Sequence, residues 1–100
     1  MNIEIKEQNG SYIGILSGWI DTAEASQFLE DLKPLMANAN KSIELDCSKL
    51  EYICSLGLRG VLQLKKESSA KGGSMVLTHV EGEVQKILKL TGFDKLFDIR

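Results

Sequence analysis

Apolar and polar residues alternate from the start of the chain, Ile3 and Ile5 against Glu4 and Lys6, the period of a half-buried strand. Asn9-Gly10 supplies a two-residue turn and Tyr12 to Leu16 resumes the apolar pattern, so the first expectation is a β-hairpin. Gly18-Trp19-Ile20 then leads into Asp21-Thr22-Ala23-Glu24, a capping box in which Asp21 caps a helix and Glu24 reaches back. Behind it Ala25, Phe28, Leu29, Leu32, Leu35 and Met36 recur at helical spacing as one apolar stripe. Pro34 sits inside that stripe, where it removes a backbone hydrogen bond and is expected to kink or loosen the last turn. The helix should end by Asn38-Ala39-Asn40.

Ser42 to Cys47 alternates again as a strand, and Leu50, Tyr52 and Ile53 return apolar side chains to the core. The next stretch, Cys54-Ser55-Leu56-Gly57-Leu58-Arg59, passes from this segment straight into a helix whose expected buried face carries Leu58, Val61, Leu62 and the stem of Lys65. Ser55 falls where an N-cap is expected. Leu56 and Gly60 fall on the opposite face, which puts an exposed leucine and a bare piece of backbone beside a modifiable hydroxyl. Lys71-Gly72-Gly73 stops the helix, Met75 to His79 reads as a fourth strand, and Val84, Ile87 and Leu88 mark a short helix. Thr91 to Ile99 closes the chain with a turn, an apolar turn of helix and a last extended piece. Strands and helices thus alternate after the hairpin. The expected fold class is α/β, with a mixed sheet of four to five strands, the N-terminal strand antiparallel and the rest largely parallel, and about four helices.

Composition narrows the function. One hundred residues form one compact domain, 1–100, with 43% hydrophobic and 26% charged residues, ordinary for a folded globular chain. Twelve basic against fourteen acidic residues give a formal net charge of −2, so nucleic acid and anionic membranes are disfavoured as partners. No apolar run is long enough to span a bilayer, and the alternating N-terminus is unlike an export signal. Cys47 and Cys54 make no disulfide framework and the one histidine, His79, completes no metal set, so a reducing cytoplasm is the expected location and no cofactor is implied.

At the joint the sequence resembles the STAS domain family, and within it the bacterial anti-sigma factor antagonists. The family's signature runs aspartate, serine, serine or threonine, glycine, leucine at a helix start, after a strand and a short leucine-containing link. Asp46 to Ile53 matches the lead-in, Ser55 the phosphorylated serine, and Gly57 and Leu58 the closing pair. Cys54 stands where the family usually has aspartate and Leu56 where it has the second hydroxyl. Gly18-Trp19-Ile20-Asp21 and Leu90 to Phe97 resemble two further family segments, so the likeness covers almost the whole chain. It implies a phosphorylation-switched binding module with Ser55 as acceptor, contacting its partner through Asp21, Cys54, Ser55, Leu56, Gly57 and Arg59. The implied partners are an anti-sigma factor with serine kinase activity, which the unmodified form holds away from a sigma factor, and a PP2C-type phosphatase. The alternative keeps the fold without the switch, as a constitutive interaction subunit of a transporter or signalling complex.

Each of these residues also has a plain reading. Asp21 is accounted for by capping alone, although a cap can also meet a partner. Cys54 at a helix start invites a nucleophile reading, but catalysis needs a base and nothing in the sequence brings His79 near, so packing in a tight joint is preferred. Trp19 is expected to lie partly buried as a lid on the core, with contact to a partner near the Asp21 and Ser55 loops as the alternative. No paired carboxylates or triad can be assembled, and an enzyme is not expected.

Overall fold

The computed structural model describes residues 2–100. In chain order they form β1 (Ile3–Gln8), β2 (Ser11–Ile20), α1 (Thr22–Asp31), α2 (Lys33–Ala37), β3 (Ser42–Ile53), α3 (Ser55–Ala70), β4 (Ser74–Thr78), α4 (Gly82–Thr91), a 3-10 turn (Phe93–Lys95) and β5 (Asp98–Ile99). The five strands make one sheet in the order β1-β2-β3-β4-β5, with β1 antiparallel to β2 and every other pair parallel. The expected mixed α/β sheet is therefore present, with the final extended piece as its fifth strand.

The hairpin turns where the sequence places it. Asn9 and Gly10 both have positive φ, 54° and 81°, the backbone that suits a two-residue turn to the twist of its strands. The Asp21 carboxylate accepts from the Glu24 amide at 3.0 Å, so the forward half of the capping box forms. The return bond from the Glu24 side chain is not made among the described residues. Pro34 does more than kink the helix: α1 stops at Asp31 and α2 restarts with proline in its first turn, where a missing N–H is tolerated.

All buried strand residues lie on one face of the sheet. The registers align Ile3 with Leu16, Gly14 with Leu45 and Leu77, Ile43 with Met75, and Ile20 with Ile53, and this face packs under Phe28, Leu32, Leu35, Leu58, Val61, Leu64, Val84 and Leu88 in one core. Burying these side chains is the main force holding the fold, each worth about 1.5–3 kcal/mol. The other face carries Ile13, Ile15, Ser17 and Trp19 on β2, Glu44 and Asp46 on β3, and Val76 and Thr78 on β4, none of them buried.

Three expectations about packing are corrected. The buried stripe of α3 runs Leu58, Val61, Leu64, Ser68, not through Lys65, and Leu62 is only half-buried. Gly60 is not bare surface, because it is buried where Leu29 and Leu32 close on it, and a Cβ there would run into the Leu29 side chain. Trp19 does not cover the core. It is 56% exposed and lies flat against Tyr52, its register partner on β3, with ring centroids 4.6 Å apart and planes 20° from parallel.

Candidate interaction site at the β3–α3 joint

β3 runs unbroken to Ile53, so the segment expected as a link after Cys47 is strand paired with the far end of β2. At its last step the Cys54 amide donates to the Ile20 carbonyl at 2.9 Å. This bond ties the two chain crossings together: Asp21 follows Ile20 on one side and Ser55 follows Cys54 on the other. Two residues 34 positions apart in the sequence thus flank one hydrogen bond.

The helix that starts here is capped differently from the expectation. Cys54 has the extended backbone of an N-cap, φ −81° and ψ 171°, and its carbonyl accepts the first helical bond from the Leu58 amide at 3.0 Å. Ser55 is therefore the first helical residue and not the cap. A thiol is a poor acceptor, and no side chain among the described residues caps α3. Its first turn also lacks an acidic residue, in contrast to α1, which has both the Asp21 cap and Glu24. The positive end of this 16-residue helix is thus left without a capping side chain or an acid of its own first turn.

Ser55, Leu56 and Arg59 are exposed, Leu56 by 43%, and Asp21 is half-buried. Cys54 and Gly57 point the other way. Cys54 is 8% exposed and Gly57 is buried, where a Cβ would come within 2.8 Å of Ile53 Cγ1. These two positions set the closeness of strand and helix, and neither is available at the surface. His79 lies just beyond β4 with φ 56° and is not in the strand. Burial, and secondarily the Asp46 carboxylate beside it, pushes the Cys47 thiol up to about 12, so that sulfur stays protonated and inert. The exposed Trp19–Tyr52 stack near the joint was missed from the sequence. Its signal was the odd-numbered period of Ile13, Ile15, Ser17 and Trp19, which puts Trp19 opposite Ile20.

The profile of the STAS domain matches residues 2–100. The chain belongs to the STAS domain family. A curated relative from Bordetella bronchiseptica, BtrV, described as a candidate anti-sigma factor antagonist, is 28% identical over 99 residues, which is 99% of this chain and 85% of that protein. Among solved structures, TM1081 of Thermotoga maritima, also described as a candidate anti-sigma factor antagonist, superposes with a TM-score of 0.82 at 25% identity, covering 97% of this chain and 84% of that one. Bacillus SpoIIAA, an anti-sigma factor antagonist solved in phosphorylated and unphosphorylated forms, shares the fold with a TM-score of 0.76 for its unphosphorylated form. The identity there is 16%, over 98% of this chain and 87% of that one. This STAS domain therefore has the fold of the anti-sigma factor antagonists. No helix among its described residues is long and apolar enough to cross a membrane.

Proposed function

We propose that this STAS domain is a cytoplasmic anti-sigma factor antagonist switched by phosphorylation of Ser55. Unmodified, the surface formed by Asp21, Ser55, Leu56 and Arg59, with Cys54 and Gly57 setting its shape from beneath, binds an anti-sigma factor with serine kinase activity and so frees a sigma factor. The observation that carries this reading is the exposure of Ser55 and Leu56 together at a helix start that has neither a capping side chain nor a first-turn acid. Phosphate brings about two negative charges into a contact that must be desolvated to form, which opposes docking. The same phosphate is welcome to the helix itself, since free amides and the dipole favour an anion there. Modification would release the partner without unfolding the domain, and a PP2C-type phosphatase would reset it. Chemistry is done to this protein and not by it.

The test is to incubate the chain with the anti-sigma factor kinase of its own organism and ATP. One phosphate should appear on Ser55, and Ser55→Ala should accept none. Label on the exposed serines Ser48 or Ser69 in that variant would overturn the assignment. A Ser55→Ala chain still bound by its partner, from a wild type that is never phosphorylated in its own cell, would instead favour a constitutive interaction subunit.

A further inference from the structure

Four of the five strands of this sheet, β2 to β5, run parallel to one another, and parallel sheets are normally covered on both faces. Here the core accounts for one face only. On the other, Ile13, Ile15 and Val76 are half-buried by their sheet neighbours, yet none packs against the core cluster. Between them the central strand β3 sets two carboxylates, Glu44 and Asp46, in register with Ile13 and Val76 and with Ile15 and Thr78 respectively. Glu44 accepts from the Thr78 hydroxyl at 2.7 Å. Burial alone would raise the Asp46 pKa, but the bond from the Ser48 amide, with His79 and Lys49 nearby, brings it below its ordinary value. Neither carboxylate is in an ion pair among the described residues, and the other charges of this face lie at its margins: Glu4 and Lys6 on the edge strand β1, Lys49 beyond the bulge, and Asp98 on the edge strand β5, where it already pairs with Arg100.

This arrangement restricts what can cover the face. A purely apolar cover would strand two carboxylates without water or a counter-charge, which costs several kcal/mol. A purely cationic ligand would leave the isoleucines wet. We infer that the uncovered sheet face is a second docking surface, distinct from the Ser55 joint, and that it takes a cationic amphipathic helix of a partner protein, its apolar side chains on Ile13, Ile15 and Val76 and its arginines on Glu44 and Asp46. A helix is the element that ordinarily covers a sheet face, and arginine meets a carboxylate with two parallel hydrogen bonds. The inference does not depend on phosphorylation.

The test titrates the isotope-labelled full chain with a synthetic amphipathic helix of leucine and arginine, about 18 residues and so about 27 Å long, enough to cross the sheet. Amide resonances of Ile13, Ile15, Glu44, Asp46 and Val76 should shift, equally so in the Ser55-phosphorylated chain. A helix with glutamate in place of arginine should bind about tenfold more weakly or worse, and Glu44→Gln with Asp46→Asn should weaken the arginine helix by about tenfold. Should that double variant fail to fold, the wild type supplies the same information, because raising the salt from 0.05 to about 0.5 M should weaken binding several-fold. Equal binding of the glutamate helix, shifts centred on Leu56 or Leu90, the same shifts on raising protein concentration without peptide, or no shifts at millimolar peptide would each overturn the inference.

Discussion

The amide of Cys54 donates to the carbonyl of Ile20 at 2.9 Å, and that bond brings the start of α1 and the start of α3 to one place. One of these helix starts is finished and the other is not. Asp21 caps α1, while α3 begins on a cysteine that makes no capping bond and has no acid in its first turn. The contrast shapes most of what can be tested.

Because Cys54 and not Ser55 is the N-cap, Ser55→Ala removes no cap. Its unfolding free energy should stay within about 0.5 kcal/mol of wild type, the range of an ordinary surface substitution. Denaturant titration checks this. A loss of about 1 kcal/mol or more would show the hydroxyl acting as a cap after all.

An acid in the first turn should do the opposite. Ser55→Glu places a carboxylate near the free amides of α3 and should stabilise the domain by about 0.3–1 kcal/mol at low salt, an effect that fades as salt is raised. Phosphorylated wild type should melt no lower than the unmodified form. A lower melting temperature for either would mean that the helix start repels charge.

Leu56 is the exposed neighbour. Leu56→Asp should leave the melting temperature nearly unchanged while abolishing partner binding, since it puts a charge into the contact without disturbing the core. A collapsed melting temperature would mean that Leu56 supports the fold.

Two buried positions test the packing. Ser68 is 1% exposed and its hydroxyl has no hydrogen-bond partner among the described residues, so Ser68→Ala should be neutral or stabilising by about 1 kcal/mol in urea unfolding. Gly73→Ala should be strongly destabilising, because its Cβ would collide with the backbone carbonyls of Ala39 and Lys41, which cannot rotate away. Gly60→Ala should cost less, its obstacle being the end of the Leu29 side chain.

Cys47 gives a pH dependence. Its thiol titrates near 9.0 when unfolded and near 12 when buried, so above about pH 9 the unfolded state sheds a proton that the folded state keeps. Stability present below pH 9 should therefore be lost as pH rises toward 12, and Cys47→Ala should flatten the decline. Identical slopes for the two proteins would contradict this.

Much of this was legible in the sequence where one residue type decides the backbone. Asn9-Gly10 dictates the hairpin turn and Asp21 the cap, whereas Pro34 announces a disturbance of the helix but not its full division into α1 and α2. The outward face of β2 was harder to read, because large side chains lie on both faces: Ile13, Ile15 and Trp19 point away from the core while the core side includes Gly14 and Gly18. Size therefore runs against burial there, which is why Trp19 reads from the sequence as a partly buried lid on the core. At the joint, serine is a good cap and cysteine a poor one, so residue preference pointed one position too far along. Gly60 looked bare because the sequence does not say that α1 crosses there and sets Leu29 on it.

The most direct test of the central claim is the affinity of the anti-sigma factor kinase for this chain before and after stoichiometric phosphorylation of Ser55, measured by titration calorimetry. Placing the phosphate in the contact should cost about 2–5 kcal/mol, a loss of thirtyfold or more, with the domain still folded. Equal affinity for the two forms would contradict the switch.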